Sequence, residues 1–183
     1  MKKAFIFSIL LFSCCMVFTD NNFRDTKWGM SIEEVRKVEK SEYADATSDG
    51  LFFKTTIQNV DWIICYFFVD NKLYRAGYMT SENYTNTNKY FEIYNTFRDL
   101  LIDKYGQPIK EVITIPDIYK NHPDSGLLMG QVIYISHWDF TDITLDITAQ
   151  GGDFKARVVI LYANKELDAV KVQRDRDATK SQL

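Results

Sequence analysis

Few residues in this chain are equipped for chemistry. Its two histidines, His122 and His137, lie in different segments. Neither has a cysteine partner or the HxxxH or HExxH spacing that places two imidazoles on one helix face, so no zinc site is expected. Asp139, Asp142 and Asp146 are close enough in sequence to be imagined as an acid pair. They fall around a tight turn and on a strand face that alternation sends to water, where carboxylates serve as solvated surface. In the same strand, His137 and Trp138 point to opposite faces. The stretch from Asp45 to Gly50 starts like a calcium loop. Thr47 then replaces the second acidic ligand and Thr56 stands where a bidentate Glu is required, so the segment reads as an Asp- and Gly-stabilised turn. No nucleophile elbow, phosphate loop or dinucleotide fingerprint is present. Cys14 and Cys15 sit near the N-terminus, which leaves Cys65 alone among aromatics as a buried, inert thiol. The chain therefore points away from catalysis: no catalytic residue, no metal and no cofactor is expected.

Binding is another matter, and the candidate residues are aromatic. Val60 to Val69 and Lys72 to Thr80 are two β-prone runs around Asp70-Asn71, the pattern of a hairpin. With that turn, Phe67 faces Tyr74, Cys65 faces Ala76 and Ile63 faces Tyr78. The other face pairs Phe68 with Leu73, Tyr66 with Arg75, Ile64 with Gly77 and Trp62 with Met79. Both faces of the first strand are apolar, so it is expected at the centre of a sheet, at least partly covered on both sides. The helices preceding and following the hairpin are too few to cover everything. Either Trp62, Tyr66, Phe68, Tyr134 and Trp138 line an accessible ligand-binding groove beside the loop 116–130, or the C-terminal helix or that loop closes over them and completes the core.

The elements that position these residues are legible from pattern. Ser31 and Glu34 form a capping box, with Met30 and Val35 at the staple positions and Ile32, Val35 and Val38 as an apolar stripe ending near Lys40. Residues 41–50 are polar and loop-like, and a strand follows over 51–58. A long helix spans about 89–105, with Tyr90, Ile93, Tyr94, Phe97, Leu100 and Leu101 on one face; Gly106 and Pro108 stop it. Beyond it come a short strand over 111–115, a long loop over 116–130, and strands over 131–140 and 143–149. Gly151-Gly152 turns the chain into a strand over 154–163. A short charged helix begins at Lys165, and residues 175–183 form a polar tail. The fold class is α+β: an antiparallel sheet built from two helix-plus-β-meander halves, about 23–105 and 106–174, packed by one long and one or two short helices within a single domain, 20–174.

The N-terminus reads as a targeting segment. Lys2 and Lys3 precede an apolar run from Ala4 to Phe18, too short for a membrane span and laid out like a secretory signal peptide over about 1–19. Cleavage fits either after Cys15, with Ser13 and Cys15 as the small residues, or after Thr19. Leu11-Phe12-Ser13-Cys14 also has the form of a lipoprotein box, with Cys14 as the lipidated residue. Removal of 1–19 takes the chain from 22 basic and 25 acidic residues to 20 and 25, near −5. A mildly acidic chain without a basic cluster argues against nucleic acid as a partner.

Phe23-Arg24, Trp28-Gly29-Met30-Ser31 and Glu34-Val35 resemble the F-R-x-x-x-W-G-x-S-x-x-E-V start of a family of small exported bacterial proteins of unknown function. The resemblance continues at Asp70 to Tyr74, Lys104 to Pro108 and Ser136-x-Trp138. It implies no activity and no assigned site. The architecture is more distantly similar to outer-membrane assembly lipoprotein modules and to β-lactamase inhibitor protein; fold alone does not carry function. The expected function is a non-catalytic exported module, in the periplasm or at the cell surface, that binds an envelope protein or a small apolar ligand. The alternatives are a scaffold of envelope assembly anchored through Cys14 and an enzyme of unrecognised type.

Overall fold

The computed structural model describes residues 22–182; the expected signal peptide over about 1–19, with Cys14, lies outside them. In order, the elements are α1 (Ile32–Val38), β1 (Glu42–Ala46), β2 (Gly50–Ile57), β3 (Val60–Val69), β4 (Lys72–Thr80), α2 (Asn88–Tyr105) and β5 (Lys110–Thr114), then a 3-10 turn (Asp117–Tyr119), α3 (Pro123–Leu128), β6 (Ile133–Asp139), β7 (Ile143–Gly152), β8 (Lys155–Asn164) and α4 (Lys165–Lys180). The strands form one antiparallel sheet in the order β1-β2-β3-β4-β8-β7-β6-β5. The fold is α+β, as expected, and each half is a helix followed by a four-stranded meander. The last strand of each half, β4 and β8, pair antiparallel and join the two. The division falls between β4 and α2, so α2 heads the second half instead of closing the first.

Local chemistry explains most boundaries. Ser31 Oγ accepts from the Glu34 N–H at 3.3 Å, and Glu34 Oε2 accepts from the Ser31 N–H at 2.8 Å, so the capping box is complete. Asp70 and Asn71 both take positive φ, 50° and 56°, as a two-residue hairpin turn requires. The Asn71 amide oxygen also accepts from the Ile32 N–H at 3.1 Å, pinning α1 to the turn. Gly106 (φ 81°) ends α2.

Five details differ from the sequence reading. Phe68 pairs with Leu73, but Phe67 pairs with Arg75, so Tyr74 is an extra residue on β4. This bulge shifts the pairing beyond it by one: Tyr66 faces Ala76, Cys65 faces Gly77 and Trp62 faces Thr80. Residues 42–46 form an edge strand, where Tyr43 packs edge-on to Phe53 (5.9 Å) and Glu42 accepts from Lys54 (2.6 Å). Gly151-Gly152 extends β7, and the turn is made by Asp153 and Phe154 at φ 51° and 61°. The 116–130 loop contains α3, because Pro123 starts a helix well and Leu127 is fully buried. Finally, α4 runs through the expected polar tail to Lys180, helped by i,i+4 contacts of Lys171 with Asp175 and Gln173 with Asp177.

Candidate functional site

Alternation along each strand gives the sheet two faces, and the ladder register aligns residues into rows across it. Tyr134, Trp138, Trp62, Tyr66 and Phe68 all project from the same face. It is the covered one. α2 buries Tyr90, Ile93, Tyr94, Phe97 and Leu101 against it, while Leu100 turns outward, 43% exposed. Trp62 meets Phe97 edge-on at 4.7 Å, Trp138 donates its indole N–H to the Gly106 carbonyl at 2.7 Å, and both indoles are buried. Tyr134 is half-buried between Phe91 (4.9 Å) and Tyr94 (5.5 Å). The structure therefore brings the five expected groove residues together and buries Trp62, Tyr66, Phe68 and Trp138 as core, leaving beside α2 a hollow of ≈ 210 Å³ bordered by Trp62, Phe97, Leu101 and Tyr162. The reason is geometric: α2 covers the centre of the sheet, and the N-terminal segment fills the space beside it, with Phe23 against Tyr66, Tyr78 and Tyr162.

Two polar networks are set into this core, and both are satisfied. The Glu39 side chain is only 2% exposed; it accepts from Arg24, from the Ser41 N–H and from the Tyr66 hydroxyl. Burial pushes its carboxyl up, but these donors outweigh burial and hold it below the ordinary value. Burial, with the hydrogen bond to Glu39 added, pushes the Tyr66 phenol up. On β6, Ser136 is fully buried and donates to Glu111 (2.9 Å), which leaves the Tyr94 hydroxyl to donate to Ser136 (2.7 Å). With Ser136 fully buried between Tyr94 and Glu111, the contact is a hydrogen-bond chain from the core to the Glu111 carboxylate.

The opposite face carries a broader stretch of half-buried apolar residues. One row across it reads Phe52, Cys65, Gly77, Leu161, Asp146, His137 and Lys110. The flanking rows carry Phe67, Arg75 and Ala163 on one side, and Ile63, Met79, Val159, Thr148 and Ile135 on the other. Gly77 contributes no side chain at the centre. A cavity of ≈ 280 Å³ occupies that position, walled chiefly by Phe52, Phe67, Met79, Val159 and Leu161, with Cys65 beside the glycine. A β-carbon on Gly77 would lie 2.0 Å from the Ile160 carbonyl oxygen, so β4 and β8 approach too closely there for any other residue. α4 closes one end of this trough, where Arg75 donates to Asp168 at 2.6 Å.

The titratable groups near the trough are poorly suited to catalysis. Burial pushes the Cys65 thiol up to about 12, which keeps it protonated and unreactive. His137 Nδ1 and Asp146 Oδ1 are 2.8 Å apart, but Gly77 and Leu161 separate this pair from Cys65 in the row. His122 is exposed at the start of α3. Among the described residues no three His, Cys, Asp or Glu side chains are grouped to hold a metal ion, and no helix is long and apolar enough to cross a membrane. Sequence reasoning missed the trough residues because its candidates, Trp62, Tyr66, Phe68, Tyr134 and Trp138, all lie on the other face of the sheet. The available signal was Gly77, a lone glycine inside a strand, which marks a bulge or a close approach. No family model matches the chain, and neither does any curated protein or solved structure.

Proposed function

We propose that this protein is an exported, non-catalytic binding module that takes a small apolar ligand in the trough around Gly77. One observation carries this reading: an apolar hollow of ≈ 280 Å³ on a sheet face that no element of the described chain covers, α4 reaching only its end. Its volume lies at the small end of ligand pockets, and its walls are carbon-rich with few polar groups, the usual composition of such sites. A continuous exposed apolar surface on a folded domain marks a place where something else binds. The signal-like N-terminus supports export.

A neutral, environment-sensitive dye such as N-phenyl-1-naphthylamine tests the site. Saturable one-to-one binding is expected, lost in Leu161→Asp and Met79→Asp. Binding that neither substitution affects removes the trough as the site. Mass determination of the processed N-terminus, with metabolic fatty-acid labelling, tests export. An acyl group on Cys14 would favour the anchored scaffold, whose support is the Leu11-Phe12-Ser13-Cys14 sequence.

A further inference from the structure

Two guanidinium groups border the exposed trough, and their electrostatic states differ. Arg75, at the α4 end, is paired with Asp168, so its charge is already matched. Arg157, at the far end, reaches the Met79 thioether, Nη1 to Sδ 3.0 Å. Among the described residues, neither Arg157 nor Lys155 has a carboxylate within ion-pair distance. The apolar hollow also does not stop at Met79. Met79 and Val159 wall a second hollow of ≈ 390 Å³, bounded by Gly151 and Gly152 and flanked by Lys155, Arg157 and one acid, Asp153.

We infer that the two hollows form one site for a medium-chain fatty carboxylate, its hydrocarbon in the apolar half and its carboxylate at Arg157 and Lys155. This rests on the reading of the trough as an apolar-ligand site and names the ligand class. Two cations against one acid leave this end locally positive on a chain whose formal net charge is −3. A planar guanidinium whose side-chain contact is a neutral thioether is suited to a carboxylate, which it binds in two-point fashion. The dimensions agree. Leu161 to Arg157 is four residues of β8, roughly 13 Å at strand rise, about the reach of an extended ten-carbon chain.

The test displaces N-phenyl-1-naphthylamine from the purified protein with decanoate and, separately, with decanol at pH 8 and low salt. Decanoate is expected to bind more tightly, by up to about fivefold for each exposed charge engaged, with the advantage shrinking as salt is added. In the variant carrying Arg157→Gln and Lys155→Gln, decanoate should fall to the level of decanol, and decanol should bind as in the wild type, which also shows that the variant is folded. Equal binding of the two ligands to the wild type, or an advantage that survives in the double variant, overturns the carboxylate end while leaving the apolar trough in place. Absence of saturable binding by the dye and by both ligands overturns the trough and this inference together. Binding to phosphatidylglycerol vesicles without binding of free decanoate would assign the basic end to a membrane surface and overturn the fatty-carboxylate reading.

Discussion

The two faces of the central hairpin are made of similar residues and have opposite fates. One carries Trp62, Ile64, Tyr66 and Phe68, the other Ile63, Cys65 and Phe67. Composition does not separate them; what lies above them does. α2 is apolar along one face and packs across β7 and β8 at the middle of the sheet, burying Tyr90, Ile93, Tyr94, Phe97 and Leu101. α4 has almost the same length but contributes no buried residue, and it is held by charged contacts such as Arg75–Asp168 and Arg174–Asp70. A helix with a broad apolar stripe is drawn over a sheet, whereas one held by exposed ion pairs rests at its margin. The difference predicts how each face responds to mutation.

The largest effect should come from the covered face. Phe97 lies edge-on to Trp62 in the core, so Phe97→Ala removes a buried ring and leaves a cavity, at a cost of about 3–5 kcal/mol. Urea denaturation measures it. A loss under about 1 kcal/mol would mean that α2 does not seal this face. Next is Gly77→Ala, which places a methyl group 2.0 Å from the backbone oxygen of Ile160. A backbone atom cannot rotate away, so β4 and β8 must separate at the junction of the two halves, and a cost of about 3 kcal/mol is expected. An unchanged midpoint would show that the close approach is not maintained in solution.

How much of this was legible depends on whether the signal is local. The capping box at Ser31 and Glu34, the Asp70-Asn71 turn and the Gly106 stop are decided by a few neighbouring residues, and all three were readable. The extra residue at Tyr74 was not, because nothing local to Asp70-Asn71 reports a bulge three residues on, and one residue of slip changes every cross-strand partner beyond it. Turn placement at Asp153 and Phe154 failed for a related reason: glycine permits positive φ but does not require the turn to form there. The choice between the two faces was the least legible. It depends on where α2 docks, which is a tertiary fact, and the long aromatic side chains that pointed to a groove are the ones a core uses best.

Acid should weaken the covered face through Glu39. Its carboxyl sits below the ordinary value of 4.5 because donors from Tyr66, Ser41 and Arg24 outweigh burial. The native state therefore favours the ionised form, and the unfolded chain takes up a proton first as pH falls. The stabilisation is fully present above about pH 4.5 and is lost as pH drops through the lower folded value. Glu39→Gln should cost about 2 kcal/mol at pH 7, since it leaves the partly buried Arg24 without its counter-charge. The gap between wild type and variant should narrow between pH 5 and 3 in thermal melts (a range of about two units around the ordinary value). A gap that is constant over that range would remove Glu39 as the titrating group.

The smallest change in stability should accompany the largest change in binding. Phe67 is only half-buried on the exposed face, where its main ring contact is Phe52, edge-on at 6.0 Å. Truncation there removes a wall that water already touches on one side, so Phe67→Ala should cost about 1 kcal/mol, well below Phe97→Ala. The same substitution opens the side of the ≈ 280 Å³ hollow and should weaken binding of N-phenyl-1-naphthylamine by roughly tenfold, because contact area and water exclusion are lost together. Phe97→Ala, measured below its unfolding midpoint, should leave dye affinity nearly unchanged, since α2 lies across the sheet from the trough. If Phe67→Ala instead destabilises as much as Phe97→Ala, the exposed face is part of the core and the contrast between the two faces disappears.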